Sequence, residues 1–323
     1  MREPPVLRFL PDKRRLHFHD GPIDLILEAF AAPSEIEAAY RAAAQRFTTV
    51  LDELCSELPL LRSAARSDGP RPHGRVAQRM ADAVAPYAAR CFITPMAAVA
   101  GAVAEEILAA MTASASLSRA YVNDGGDIAL HLAPGEAFTI GMVERPESPS
   151  LFGTARIAAA QPVRGIATSG WRGRSFSLGI ADAVTVLADR SSQADSAATI
   201  IANAVDLPGH PAIVRVPACE IAPDNDLGDR LVTRAVGALS PNEIERALSP
   251  GHAVADQLIR EGLIRAAALN LCGHTRVTDL HVSLGGQSFS SDGTAGDFAG
   301  LQSPRTAAPF ENSIGQNWTA TDA

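Results

Sequence analysis

From Thr94 to Met111 the chain reads TPMAAVAGAVAEEILAAM, and every side chain of Ala97, Ala98, Val99, Ala100, Gly101 and Ala102 is small. Pro95 after Thr94 marks a natural helix start. A helix without bulk on one turn either lets a neighbouring backbone approach or leaves room for a ligand, and close packing is the commoner cause. Any fold available to this chain must therefore bring something close to this helix.

The flanking sequence supplies partners of both kinds. RRLHFHDGPIDLIL reads as strand, turn and strand, and PSEIEAAYRAAAQRFTTVLDELCSEL as a long helix that Ser34 is placed to cap. Residues 62–75 carry Gly, Pro and Arg without a period and read as an exposed loop, followed by an Ala-rich helix near 76–84. Strand patterns recur at 137–143, at 152–159 and in ADAVTVLA, and SQADSAATIIANAV is a helix. Towards the C-terminus SPNEIERALSPGHAVADQLIREGLIRAAALNL is helical with a break expected at Pro250-Gly251, and TRVTDLHVSLGG is one more strand. From about residue 285 the chain turns Gly-, Ser- and Thr-rich and reads as a disordered tail, so 1–284 is expected to form one domain and 285–323 to lie outside it.

With 323 residues, 46% hydrophobic and 20% charged, the chain can bury a large core. A net charge of −8, with no basic run longer than DKRR at 12–15, argues against a nucleic-acid partner and for a small molecule or a protein. Cys55, Cys91, Cys219 and Cys272 form no C-x-x-C pair, so no zinc knuckle or redox motif is spelled out. No signal-peptide core and no run of about 18 apolar residues is found, and the expectation is a cytoplasmic chain with no membrane partner.

Within AYVNDGGDIALHL, residues 120–132, a strand pattern is broken by Asn123-Asp124-Gly125-Gly126-Asp127. Adjacent glycines between strand-like runs signal a hairpin. They also let backbone take positive φ and come close to another group, among short polar side chains that offer oxygens. GIATSG sets Thr168 and Ser169 before Gly170, with hydroxyls and amides of the kind that cradle phosphate. Asp195 and Thr199 stand four apart on one helix face, two oxygens that suit a hard cation such as Mg²⁺; an Asp favoured by the helix dipole with a packed Thr is the commoner cause of that spacing. Arg172 and Arg174 suit phosphate and Trp171 a ring, though the same residues suit an exposed loop. His17 and His19, beside Asp20, share a strand face and lack a third metal ligand in view.

The ordered series VNDGGDIAL, GIATSG, VTVLA and ADSAATIIANAV resembles the ApbE superfamily of flavin transferases, whose stretches read N-A-G-G-D-I, G-I-A-T-S-G, S-V-T-V and A-D-A-x-A-T. The likeness spans about residues 90–206 and extends to the N-terminal strand and helix; TPMAAVAGAVAEEI and SGWRGRSFSLGIADAVTVLA are similar to a smaller, uncharacterised branch. The resemblance implies an α+β fold, a central mixed sheet with packed helices. It also implies FAD, or FMN, as cofactor, Mg²⁺ on the pyrophosphate, and transfer of FMN to a Thr or Ser of an acceptor protein or cleavage of FAD. Carried over, Asp195 and Thr199 are magnesium ligands with the Ala100 carbonyl as a third; Asn123, Gly125, Gly126, Asp127, Thr168, Ser169 and Gly170 line the nucleotide.

Two departures bear on activity. The family's lysine on the early helix is missing from VAGAVAEE, and Leu178 stands where the family has a histidine before its V-T-V strand, with the D-P-x-T-G loop gone. A leucine takes no proton, so Asp182 is the remaining candidate base, against its reading as a turn former. Three readings follow: a Mg²⁺-dependent flavin transferase or FAD pyrophosphatase, a flavin or nucleotide binder without catalysis, and an enzyme of this scaffold acting on another cofactor or metabolite.

Overall fold

The computed structural model describes residues 4–143 and 151–278. The expected tail at 285–323, and the end of the expected strand beyond Thr278, lie outside them.

Thirteen strands and seven helices follow in order: β1 (Val6–Phe9), β2 (Leu16–Asp20), β3 (Ile23–Phe30), α1 (Pro33–Ser56), α2 (Leu58–Leu61), α3 (Arg75–Val84), α4 (Val99–Ser114), β4 (Arg119–Asp124), β5 (Asp127–Leu132), β6 (Ala137–Val143), β7 (Leu151–Ala158), β8 (Gly165–Ser169), β9 (Ala183–Ala188), α5 (Ser191–Ala204), β10 (Ile213–Pro217), α6 (Ala218–Ile221), β11 (Leu231–Val236), α7 (Pro241–Arg260), β12 (Ala266–Leu271) and β13 (His274–Val277). Nine strands form one sheet in the order β1-β2-β3-β4-β5-β8-β9-β12-β13. The α+β class holds, but every ladder in this sheet is antiparallel, so it is not mixed. Tight turns account for part of this: β2–β3, β4–β5 and β12–β13 are each joined by two residues, and a two-residue turn can only reverse a strand.

The main core lies between one sheet face and the helices, where Leu25, Leu27, Val122, Val184, Val186 and Leu269 meet Phe47, Ile107 and Ile201. The opposite face buries Leu130, Leu132 and Ile166 under Phe138, Ile140 and Ile157 of the β6–β7 hairpin. All six residues of β9 are buried, as its near-continuous apolar run requires.

The small-residue helix is explained by contact. A Cβ on Gly101 would stand 2.4 Å from the Ser191 carbonyl oxygen, so α4 meets the start of α5 backbone to backbone. Gly165 on β8 touches the same place, where a Cβ would lie 2.1 Å from the Arg190 carbonyl carbon. From the other end Gly179 allows equal closeness to Ala202. The helical stretch Pro95–Ser114 is long and apolar enough to cross a membrane by length and composition. Here its buried residues pack into the core, and Glu106 is paired with Arg46 and Arg79.

Four local expectations change, the first being that the end of the expected C-terminal helix, Ala266–Leu271, is strand β12. Ala32, not Ser34, is the N-cap of α1, because Pro33 takes the first helical position, where its fixed φ and missing N–H cost nothing. Thr94 precedes a short 3₁₀ turn, Pro95–Ala98, before α4 begins. The break at Pro250-Gly251 does not occur: α7 runs through it, started by a full capping box between Ser240 and Glu243. At Gly251 a side chain would collide with Val205, so the glycine serves helix packing.

Candidate functional site

The double glycine is a two-residue hairpin turn. β4 and β5 pair with Asp124 opposite Asp127, which leaves Gly125 and Gly126 between them at φ 63° and 119°. Both angles favour glycine, and the Asn123 side chain accepts the Gly126 N–H at 2.8 Å. Along β4 the buried residues Ala120, Val122 and Asp124 alternate with the partly exposed ones, so Asp124 points to the helix-bearing face and Asp127 stands opposite it. Two carboxylates facing each other across a hairpin repel. A turn needs glycines but has no use for that repulsion.

A third carboxylate joins them from α5. The Asp195 Oδ2 accepts the Gly101 N–H at 3.0 Å, at the N-terminus of α4 where amides carry partial positive charge. Asp127 Oδ1 accepts the Thr168 N–H at 3.2 Å, which ties the hairpin to β8. Burial, then the charges of Asp195 and Asp124, push the Asp127 carboxyl well up, and burial with the nearby Asp124 does the same to Asp195. Burial pushes Asp124 up to about 7, against the Asp24 amide and the Arg174 guanidinium, which hold it down. One point on the helix side of the sheet thus collects negative charge from three elements.

Arg174 stands at its edge. The guanidinium Nη2 lies 3.9 Å from Asp124 Oδ1 with the side chain 67% exposed. It passes over the turn so closely that a Cβ on Gly125 would be 2.5 Å from Nη2. Gly125 is required by its φ, and the exposed end of Arg174 lies against it.

The expected residues divide. Asp127, Asp195 and Thr168 come together, the hairpin brings Asn123, Gly125 and Gly126, and Arg174 reaches the same group. Thr199 stands one turn beyond Asp195 on α5 and is half-buried. Thr168 is exposed, with its hydroxyl 2.9 Å from that of Thr185, and Ser169 is half-buried at the end of β8. Ala100 lies in the first turn of α4, with its N–H toward Asp195.

Asp182 is buried and already engaged. Its carboxylate accepts from Trp171 Nε1 at 3.0 Å, Arg172 Nε at 2.6 Å and the Cys272 N–H at 2.6 Å. This fits an anchor for the loop after Gly170 better than a base with a lone pair to offer. Arg172 covers Trp171 at 4.4 Å from the ring centroid, so one face of the indole is already occupied. Leu178 offers only its amide, donated to Asn203 Oδ1 at 2.9 Å.

His17 and His19 meet Asp24, not Asp20. His17 Nε2 lies 3.2 Å from both Asp24 oxygens and His19 Nδ1 3.2 Å from Oδ2, while Asp20 is buried on the other face. Among the described residues no group of three or more His, Cys, Asp or Glu is arranged to hold a metal ion. Sequence reasoning missed Asp124, whose signal was in plain view: an aspartate on each side of a two-residue turn must face its counterpart.

The sequence profile of the family described as "AbpE bacteria" matches residues 7–277, more than four-fifths of the chain and all of the site. The chain belongs to this bacterial AbpE family. Among individual proteins, a UPF0280 protein of Methanopyrus kandleri is 38% identical over 130 residues, 40% of this chain and 48% of that protein. A UPF0280 protein of Methanosphaerula palustris is 40% identical over 136 residues, 41% and 54% of the two. The matched segment thus spans about half the length of these curated relatives. Two solved structures resemble the family member at 11% identity: the flavinyl transferase ApbE of Pseudomonas stutzeri, TM-score 0.44, covering 87% of this chain and 96% of that one, and the flavin transferase ApbE of Vibrio cholerae, TM-score 0.37, covering 83% and 97%.

Proposed function

We propose that the chain handles a flavin nucleotide with Mg²⁺, binding FAD and cleaving its pyrophosphate or passing FMN to an acceptor protein. The observation that carries this reading is the meeting of Asp127, Thr168 and Asp195, from three separate motifs, beside the first amides of α4. The donor set suits the ion: carboxylates of Asp127 and Asp195 and the hydroxyl of Thr199 are hard oxygens, and Mg²⁺ takes one or two protein carboxylates with phosphate and water completing its shell. The buried Ser191 hydroxyl, one turn before Asp195, has no hydrogen-bond partner. When bound, the ion would neutralise charge on the phosphoryl group. The exposed Thr168 and the Ser169 amide would face the nucleotide, and Arg172, fixed by Asp182, would hold phosphate from the neighbouring loop.

A second reading, binding without turnover, is favoured by Leu178 and by the three donors on Asp182, which leave no evident base for an acceptor hydroxyl. Incubation with FAD and Mg²⁺, with and without a Thr-containing acceptor peptide, separates the two. AMP and FMN by mass spectrometry, or a peptide heavier by FMN, supports turnover; intact FAD with a raised melting temperature supports binding alone. An unchanged melting temperature at millimolar FAD, FMN and ADP, with and without Mg²⁺, would remove both.

A further inference from the structure

Arg174 stands at the edge of the carboxylate cluster. Its guanidinium lies near Asp124 at 3.9 Å, beyond hydrogen-bond distance, and its side chain is 67% exposed. Held so loosely, it is free to turn away. The end of its side chain lies against the turn, close to Gly125. Its positive charge acts on both Asp124 and Asp127, the two carboxylates that face each other across the hairpin.

We propose that Arg174 is a positioning residue that exchanges partners: it competes with the divalent cation for the carboxylate cluster of Asp124, Asp127 and Asp195, and when displaced it presents its planar fork to a phosphate of the nucleotide. This rests on the flavin-nucleotide reading above. Two cations of like charge cannot both be drawn against the same carboxylates without repelling each other. A guanidinium turned outward by the ion meets phosphate in the geometry it matches best, two parallel N–H donors. Metal and nucleotide are thereby coupled: the ion frees the arginine, and the phosphate holds it in its new place.

The coupling predicts opposite effects of one substitution. Arg174→Gln should strengthen Mn²⁺ binding to the nucleotide-free protein about five- to tenfold, the scale of one exposed unit charge several ångströms away and screened by water. The same variant should weaken ADP and FAD binding in saturating Mg²⁺ by a similar factor. Arg174→Lys, which keeps the charge and loses the fork, should leave Mn²⁺ affinity near that of the wild type and still weaken the nucleotides. Titration calorimetry with Mn²⁺ alone, and then with ADP and with FAD, reads all of these without turnover. If the wild type binds Mn²⁺ and nucleotide and Arg174→Gln alters neither, or weakens both, the exchange is refuted and the flavin reading stands. If the wild type binds neither, both fall.

Discussion

Replacing Asp124 with asparagine should stabilise the protein at alkaline pH, and by more as the pH rises. Asp124 is 4% exposed and faces Asp127 across the turn. Its carboxyl is carried from 3.8 to about 7, chiefly by burial. A carboxyl whose folded pKa lies above its unfolded value favours folding below the unfolded value and gives up that contribution as pH rises through the folded one. At about 1.4 kcal/mol per tenfold change in proton affinity, the ionised group weighs roughly 4 kcal/mol against folding above pH 7, of which about 3 kcal/mol develops between pH 5 and pH 8. Asparagine keeps the size and keeps an oxygen for the Asp24 N–H, but it does not ionise. The advantage of Asp124→Asn in urea unfolding, with EDTA present, should therefore grow by about 2–3 kcal/mol from pH 5 to pH 8. A difference constant across that range would show that Asp124 titrates in the folded protein as it does in the unfolded chain, and the account of buried, opposed carboxylates would be wrong.

Asp195→Ala should abolish the rise in melting temperature that Mg²⁺ with ADP gives the wild type, because a ligand that binds only the folded state stabilises it by mass action; a full rise in the variant would remove Asp195 from the ion. Gly101→Ala should cost several kcal/mol in urea unfolding, since its Cβ would stand 2.4 Å from the Ser191 carbonyl oxygen and neither backbone can give way alone. Ser240→Ala should cost about 1 kcal/mol by loss of the capping box on α7, without change in nucleotide binding by calorimetry.

Much of this structure could be read from the chain, and the rest failed for identifiable reasons. The small side chains of 97–102 announced a close backbone approach, and Gly101 against Ser191 is that approach. What they could not announce was the partner, because a contact between residues ninety apart has no local pattern. The hairpin was legible at Gly125-Gly126, but Asp124 was read as part of the turn when the turn itself makes it face Asp127. Asp195 and Thr199 were legible as one helix face. That the amide of Ala100 faces Asp195 was not legible, because α4 points its N-terminus at α5 and helix direction depends on tertiary packing. Asp182 looked available as a base only while its three donors, on the loop after Gly170 and beyond β12, were out of sight. Pro250 was misread because a proline inside a helix removes one hydrogen bond, which a well-capped and well-packed helix tolerates.

The contacts that hold α5 have a consequence for recognition. Gly101 and Gly165 fit against its first turn and Gly179 against its last, each so closely that no side chain could be interposed. A rod clamped at both ends does not shift or rotate to meet a ligand, so Asp195 and Thr199 are held in one arrangement before anything arrives. The entropy of ordering them is spent in folding rather than in association, and adaptation is left to the exposed side chains at the rim. Ligands that differ in the group held by α5 should then be told apart sharply, whereas those that differ at the rim should be accepted with little loss.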